Sequence, residues 1–206
     1  TITMQITIKL LVLGAAISCC LGENFESIVC GKEVIPKRGS SSSLIVGGVE
    51  ATPGEFPWMT QITRLGKHDC GGSVLHESFV LTAAHCMKTP TVNEFFFGKH
   101  NITKKEKGQM SRKASKVVRH KLYGTNGYKY DIALVKLDEP LKFSETIRPI
   151  CIAPYETETE GMLTVAGWGS LEEGGPASDV LMKVDVPFIS DDDCRHETGY
   201  YPSQIA

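Results

Sequence analysis

From Ile45 onward the sequence consists of short runs of β-forming residues separated by glycine and proline. Several runs alternate apolar and polar residues, and no window repeats apolar residues at the spacing of a long amphipathic helix. The predicted strands are residues 58–63, 79–82, 94–98, 116–120, 132–137, 163–167 and 180–186. A short helix is predicted at 190–195, where Ser190 can cap the first turn and acidic residues follow. Many short strands joined by turns are typical of an all-β barrel or sandwich.

The first 22 residues have the features of a secretory signal peptide. Lys9 precedes the apolar run LLVLGAAI, and small residues and cysteines follow. The run is too short to span a bilayer, and a buried helix is disfavoured because polar residues come next. Met4 is a candidate initiator, with residues 1–3 as a translated leader. We therefore expect a signal peptide at 1–22, a serine-rich propeptide or linker at 23–44, a folded domain at 45–206, and a secreted, extracellular protein without a membrane anchor.

Secretion changes how the seven cysteines are interpreted. Cys19 and Cys20 fall in the predicted signal peptide, so five cysteines remain, which is an odd number in an oxidising compartment. Either one thiol is free or its partner is absent from the sequence. The net charge of −2 gives no indication of nucleic acid or an anionic membrane as a partner.

His85 lies in the string LTAAHC, among small residues. A lone histidine of this kind is most often a core residue, and a zinc site would need further ligands at short spacing, which do not accompany it. Asp131 opens the apolar run DIALVKL. It is either a strand-start aspartate or a carboxylate that accepts the Nδ1–H of a histidine and stabilises the imidazolium. Taken alone, these residues leave the alternatives open.

Six strings resemble trypsin-like serine proteases in their order and spacing. They are IVGG (45–48), FPW (56–58), CGGSVL (70–75), LTAAHC (81–86), DIALVKL (131–137) and GWG (167–169). The resemblance covers the chain from residue 45 onward, with Cys30 as an outlying match. It implies an all-β, chymotrypsin-like double β-barrel, with the first barrel complete and the second incomplete. It also implies that His85 is the general base and acid of a Ser-His-Asp triad and that Asp131 orients it.

The third residue of the triad is a serine in a Gly-Asp-Ser-Gly-Gly loop in this family, and that string is absent from the sequence. None of the serines after Asp131 has the glycine context that exposes a nucleophile and forms an oxyanion hole: Ser144, Ser170, Ser178, Ser190 and Ser203. We expect a secreted serine endopeptidase zymogen that hydrolyses peptide bonds, with this chain truncated before the nucleophile. The alternative is a non-catalytic homologue acting as a binding protein. The presence of both His85 and Asp131 favours the enzyme.

The resemblance implies two disulfides. Cys70 would pair with Cys86, next to the histidine, and Cys30 would pair with Cys151, which tethers the propeptide to the catalytic domain. Cys194 would then be the fifth cysteine, outside these two implied disulfides.

The resemblance also implies processing and partners. Activation would follow cleavage between Leu44 and Ile45, although the family usually has arginine or lysine before the cut bond. Asn101 begins the glycosylation sequon NIT. The loop 99–113 is rich in lysine and has one carboxylate, so calcium is not expected there, and no other metal or cofactor is expected. The expected partners are protein or peptide substrates, an activating protease and protein inhibitors.

Overall fold

The computed structural model describes residues 30–31, 48–125, 129–154, 157, 160–172 and 174–198. The predicted signal peptide lies outside the described residues, as do most of the predicted propeptide, Leu44 and Ile45 at the expected activation site, and Ser203. In the described part of the chain, no helix has the length and apolar character needed to cross a bilayer.

Ten strands and one α-helix form most of the regular structure in these residues. The strands are β1 (Val49–Glu50), β2 (Met59–Arg64), β3 (Lys67–His76), β4 (Phe79–Thr82), β5 (Asn93–Phe97), β6 (Met110–Arg112), β7 (Ala114–Arg119), β8 (Ala133–Leu137), β9 (Met162–Gly167) and β10 (Met182–Pro187). Two 3-10 helices, Ala84–Met87 and Pro90–Val92, lie between β4 and β5, and helix α1 spans Asp191–Thr198. Each predicted strand overlaps an observed one, so the all-β prediction is confirmed.

Seven antiparallel strands form the first barrel, in the order β6-β5-β2-β3-β4-β8-β7. Only Lys113 separates β6 from β7, so the two edges of this sheet are adjacent in the chain and the sheet curls round on itself. Alternate residues of β5 and β8 face inward, as the two-residue period of a strand requires. The largest side chains that they bury are Phe95, Phe97, Val135 and Leu137, which pack with Ile62 and Ile147.

A smaller sheet, in the order β1-β10-β9, is the described part of the second barrel. Trp168 joins it to the first barrel. Its ring is 2% exposed and packs with Ala51 and Leu181, and its Nε1–H donates to the His100 carbonyl oxygen at 2.9 Å. One face of β9 is open to solvent, since Leu163 and Val165, which lie on that face, are 40% and 53% exposed. The prediction that the second barrel is incomplete agrees with this open face.

The turn between β2 and β3 contains Leu65 in a backbone conformation that is unfavourable for leucine. Arg64 pairs with Lys67, and both residues between them have positive φ, 53° at Leu65 and 78° at Gly66. Leucine pays a steric cost of about 1 kcal/mol in that conformation, and its side chain is 79% exposed, so it recovers little by burial. We expect Leu65→Asn to raise the free energy of unfolding by about 0.5–1 kcal/mol in urea titrations. Leu65→Val, which is β-branched, should give no gain.

Candidate active site

The pairing of β4 with β8 brings two distant parts of the sequence to one end of the first barrel. Thr82, the last residue of β4, pairs with Ala133, the first residue of β8. The chain therefore leaves β4 and enters β8 at the same place. His85 follows Thr82 by three residues, and Asp131 precedes Ala133 by two, so the register of this one strand pair places both side chains at that end.

His85 and Asp131 contact each other through two hydrogen bonds. The His85 backbone N–H donates to Asp131 Oδ1 at 2.8 Å, and the ring Nδ1 lies 2.6 Å from Oδ2. An ionised carboxylate only accepts, so the proton of this second bond belongs to Nδ1. The side chain of His85 is 54% exposed and that of Asp131 is 27% exposed. The carboxylate thus fixes the orientation of a ring that is open to solvent.

The surroundings of Asp131 favour its charged form. Partial burial works in the other direction and would raise its pKa. The hydrogen bonds from the ring and backbone of His85, the charge of His85 and the backbone N–H of Ala84 outweigh that effect, so the pKa of Asp131 lies below its ordinary value of 3.8. The carboxylate is therefore ionised at neutral pH and ready to stabilise a cationic imidazole.

This lowered pKa predicts an acid-dependent contribution to stability. A carboxylate with a lower pKa in the folded state stabilises the fold above its unfolded pKa, and this stabilisation is lost as pH falls through the folded value. We expect the difference in unfolding free energy between the parent chain and Asp131→Asn to be present at pH 5 and to shrink below about pH 4. Urea titrations of both forms between pH 3 and 7 measure it. A difference that grows towards acid pH would contradict the argument.

Both disulfides implied by the resemblance are present. Cys70 is bonded to Cys86 with a Cα separation of 6.2 Å, and Cys30 is bonded to Cys151 with one of 4.9 Å. The Cys86 sulfur lies 3.4 Å from His85 Nε2. Cys70, His85 and Cys86 form a close group of potential metal ligands, but the two sulfurs are bonded to each other and provide no thiolate.

Two residues beside Asp131 were not anticipated from the sequence. Tyr130 has a φ of 61°, which is sparsely populated for a residue with an aromatic side chain, and its ring stacks on His120 at 4.7 Å between centroids. The backbone around them is tied, because His120 N–H donates to the Ile132 carbonyl oxygen at 3.0 Å. Strained backbone next to a site persists only where its neighbours hold it. The strained residue that precedes Asp131 is thus held by a ring contact and by backbone bonds of its neighbours, and nothing in the spacing of Tyr130 and His120 predicted this.

Four of the five serines considered from the sequence fall within the described residues, and their hydroxyls bond locally. The hydroxyl of Ser170 donates to the Gly175 carbonyl oxygen, that of Ser178 to the Val180 carbonyl oxygen and that of Ser190 to an Asp193 carboxylate oxygen, while that of Ser144 lies 3.4 Å from Thr146 Oγ1. These bonds direct the four hydroxyls to neighbouring residues in the sequence rather than to His85.

The loop after β5 has an internal cation. Lys99 is only 9% exposed, and its ammonium donates to the Lys104 carbonyl oxygen and, at 3.2 Å, to Gln109 Oε1. Burial lowers the pKa of Lys99, and the negative charge of Glu106 opposes that shift. The ammonium of Lys99 thus binds two oxygen atoms within this loop.

Asn101, at the predicted glycosylation site, is half-buried at the start of the same loop. Its Oδ1 accepts the backbone N–H of Thr103 at 2.9 Å, the Thr103 hydroxyl at 2.8 Å and the backbone N–H of Lys104 at 3.1 Å. These bonds use the oxygen of the side-chain amide and not the nitrogen that a glycan would modify. Glycosylation at Asn101 stays a prediction.

Comparison with known proteins identifies the family. The sequence profile named Trypsin matches residues 45–205. Coagulation factor IX of Cavia porcellus is 36% identical over 162 residues, which are 76% of this chain and 57% of that protein. Coagulation factor IX of Oryctolagus cuniculus is 33% identical over 86% of this chain and 68% of that protein, and serine proteinase stubble of Drosophila melanogaster is 34% identical over 81% of this chain and 22% of that protein.

A solved structure agrees with the fold. A human heparin-binding protein superimposes with a TM-score of 0.66 at 30% identity, covering 73% of this chain and 69% of that structure. The chymotrypsin-like fold expected from the sequence is therefore confirmed. The chain spans about half the length, or less, of several of the curated relatives that it matches. This chain belongs to the trypsin-like family of serine proteases.

Proposed function

We propose that this chain carries the histidine and aspartate of a secreted serine endopeptidase that is made as a zymogen. The observation that carries the proposal is the contact between His85 and Asp131, 2.6 Å from Nδ1 to Oδ2, on an exposed ring. Family membership supports a protease function, and the pair supplies the base and the group that orients it.

In the proposed mechanism, the two ring nitrogens of His85 have different roles. Asp131 holds the proton on Nδ1, so that Nε2 is unprotonated and can accept the proton of a serine hydroxyl as it attacks a peptide carbonyl. The imidazolium formed in that step is stabilised by the ionised Asp131 and then protonates the leaving amine. More than half of the His85 side chain is exposed, which leaves room for a substrate and a nucleophile beside it.

The nucleophile is the part of the triad that the 206 residues do not supply, since no Gly-Asp-Ser-Gly-Gly string occurs in them. We propose that a longer form of the protein contributes the serine, the oxyanion hole and the specificity pocket. The 206-residue chain alone should therefore not hydrolyse peptides, because removal of those parts leaves the base with no hydroxyl to activate.

The test compares the 206-residue chain with a longer form that includes a serine-containing segment, each cleaved before Ile45. Hydrolysis of a panel of peptide substrates is measured with and without a fluorophosphonate that labels active serines. We expect inhibitor-sensitive turnover only from the longer form. Inhibitor-sensitive turnover by the 206-residue chain, or none from the correctly folded longer form, would contradict the proposal.

Secretion and activation form part of the same proposal. The two disulfides support secretion, because disulfides form and persist in an oxidising compartment. The Cys30–Cys151 bond would keep the propeptide attached to the domain after cleavage. Gly48 supports a fixed position for the new N-terminus: its φ is 65°, and a Cβ there would lie 2.6 Å from the Lys183 carbonyl oxygen on β10. Leucine at position 44 points to an activating protease that accepts an apolar side chain. Protein or peptide substrates and protein inhibitors are the proposed partners.

The alternative, a non-catalytic homologue that binds partners through its surface, has weaker support. Such a protein has no need for an ionised carboxylate bonded twice to an exposed histidine, and this geometry is retained. The labelling experiment separates the two functions, because a non-catalytic homologue would take up no fluorophosphonate in any form.

A further inference from the structure

A dense run of positive charge follows Lys99 in the sequence of the first barrel. Residues 104–121 include eight lysines and arginines and a single carboxylate, Glu106. The run begins in the loop before β6, continues along β6 and β7, and ends just beyond β7. We define the basic ridge as the exposed cations of this run together with their neighbour on β8: Lys104, Lys105, Lys107, Lys113, Lys116, Arg119, Lys121 and Lys136.

The barrel brings like charges together within the ridge. Lys116 on β7 pairs in register with Lys136 on β8, and both side chains are exposed. Like charges directly opposite each other on neighbouring strands are destabilising. Among the described residues, no ridge side chain forms an ion pair with a carboxylate within 4.0 Å. The fold thus maintains a repulsive arrangement that it does not neutralise.

Two carboxylates near the ridge, Glu106 and Asp138, bond to backbone groups instead of to the ridge cations. Glu106 turns inward, where its Oε1 accepts the Asn101 backbone N–H at 2.9 Å. Asp138 accepts the backbone N–H groups of Lys113 and Glu139. Arg112 is left out of the ridge because its guanidinium donates to the carbonyl oxygens of Ser111, Glu139 and Pro140. The ridge cations therefore face solvent.

The side chains between the cations indicate the kind of anion that fits. Residues 104–119 contain no Phe, Tyr or Trp, so there is no platform on which the bases of a single-stranded nucleic acid could stack. The residues exposed among the cations are mainly small and polar, such as Gly108, Ser111 and Ser115, and Val118 is the exception. Between residues 104 and 117 this surface exposes no large apolar or aromatic side chain of the kind that a protein partner would bury as an anchor. Exposed apolar area begins at the far end of the ridge, where Val118 and Leu122 lie near a concavity that Tyr123 also lines.

The type of cation in the ridge favours a flexible polymeric ligand that carries separate negative charges along its length. Seven of the eight are lysines, whose ammonium is a compact charge without the planar fork that selects paired carboxylates or phosphates. The segment from Met110 to Arg119, in which β6 and β7 meet at Lys113, has a contour length of about 30 Å at roughly 3.3 Å per residue, which suits a linear ligand. We propose that the basic ridge binds a linear sulfated polysaccharide. This inference concerns binding alone and does not depend on proteolysis.

The test uses the full 206-residue chain and a fluorescein-labelled heparin octasaccharide, with binding followed by anisotropy at 0.1 M NaCl. Two ridge variants each remove two charges: Lys116→Ser with Lys136→Ser, and Lys105→Ser with Lys107→Ser. The matched control, Lys67→Ser with Lys142→Ser, removes two exposed lysines outside the ridge. Far-UV circular dichroism checks that each variant is folded.

We expect each ridge variant to raise Kd about tenfold and the control to raise it less than about twofold, since contact charges matter more than net charge at a Debye length of about 10 Å. Raising NaCl to 0.5 M should strongly increase the Kd of the parent chain and reduce the difference in Kd between the parent and the ridge variants. An equal loss in the control would overturn the ridge as the site. Equal or tighter binding of unsulfated hyaluronan, poly-glutamate or single-stranded DNA would overturn the proposed ligand class.

Discussion

Asp131→Asn should lower the kcat of the activated, serine-containing form of this protein by about 10⁴, with a much smaller change in KM. That magnitude is known for the equivalent change in trypsin-like enzymes. The geometry here gives the reason to expect it again. Asp131 accepts the proton on Nδ1 of His85 at 2.6 Å. An asparagine amide in its place can donate to Nδ1, which moves the ring proton to Nε2 and leaves the base unable to accept from serine.

The measurement is steady-state hydrolysis of a chromogenic peptide by the parent, Asp131→Asn, His85→Ala and the double variant. The double variant should lose about as much activity as the worse single variant, because the two residues act as one unit. Asp138→Asn is a matched control, since Asp138 is an exposed carboxylate at the other end of β8 and bonds only to backbone N–H groups in the described part of the chain. Additive losses at His85 and Asp131 would mean that they act independently.

Local sequence pattern was sufficient for most of the first barrel. Strand β8 has apolar residues at the alternate positions Ala133, Val135 and Leu137, and the structure buries all three. The sequence pattern did not predict strand β3, because β3 contains Gly71 and Gly72, and glycine is unfavourable in strands. The reason for Gly72 is tertiary: a Cβ there would lie 2.9 Å from the Leu81 carbonyl oxygen on β4 and 3.0 Å from a methyl group of Val80. A close approach between strands is not visible in a single segment of sequence.

The candidate site shows the same limit. The sequence named His85 and Asp131 through their resemblance to a family, but their contact depends on the register in which Thr82 meets Ala133. Register is determined by the burial of whole strand faces in the barrel, so it cannot be predicted from either sequence string alone. Tyr130 was missed for a related reason. Its positive φ and its stacking on His120 depend on how the chain enters β8. The short helix α1 could be predicted from local sequence, because its cap is local: the Ser190 hydroxyl oxygen accepts the Asp193 backbone N–H at 3.1 Å.

The Cys30–Cys151 disulfide should stabilise the uncleaved chain strongly and the cleaved chain hardly at all. It joins residues 121 apart, and closing a loop of that length removes about 5 kcal/mol of unfolded-chain entropy. Cleavage between Leu44 and Ile45 opens that loop, so the bond then only attaches a short peptide to the domain. We therefore expect Cys30→Ala with Cys151→Ala to lower the unfolding free energy by several kcal/mol before cleavage and by less than about 1 kcal/mol after it.

The Cys70–Cys86 disulfide is the matched control, because its 16-residue loop lies wholly within the cleaved domain. Cys70→Ala with Cys86→Ala should cost about 3 kcal/mol in both forms, since cleavage at residue 44 leaves this loop closed. Urea titrations of the parent and of both double variants, each before and after cleavage at a specific protease site engineered at residues 40–44, measure all of these values. If loss of Cys30–Cys151 costs the same before and after cleavage, the bond acts through native contacts such as the Gly31 N–H donating to the Pro149 carbonyl oxygen at 2.9 Å, and not through loop closure.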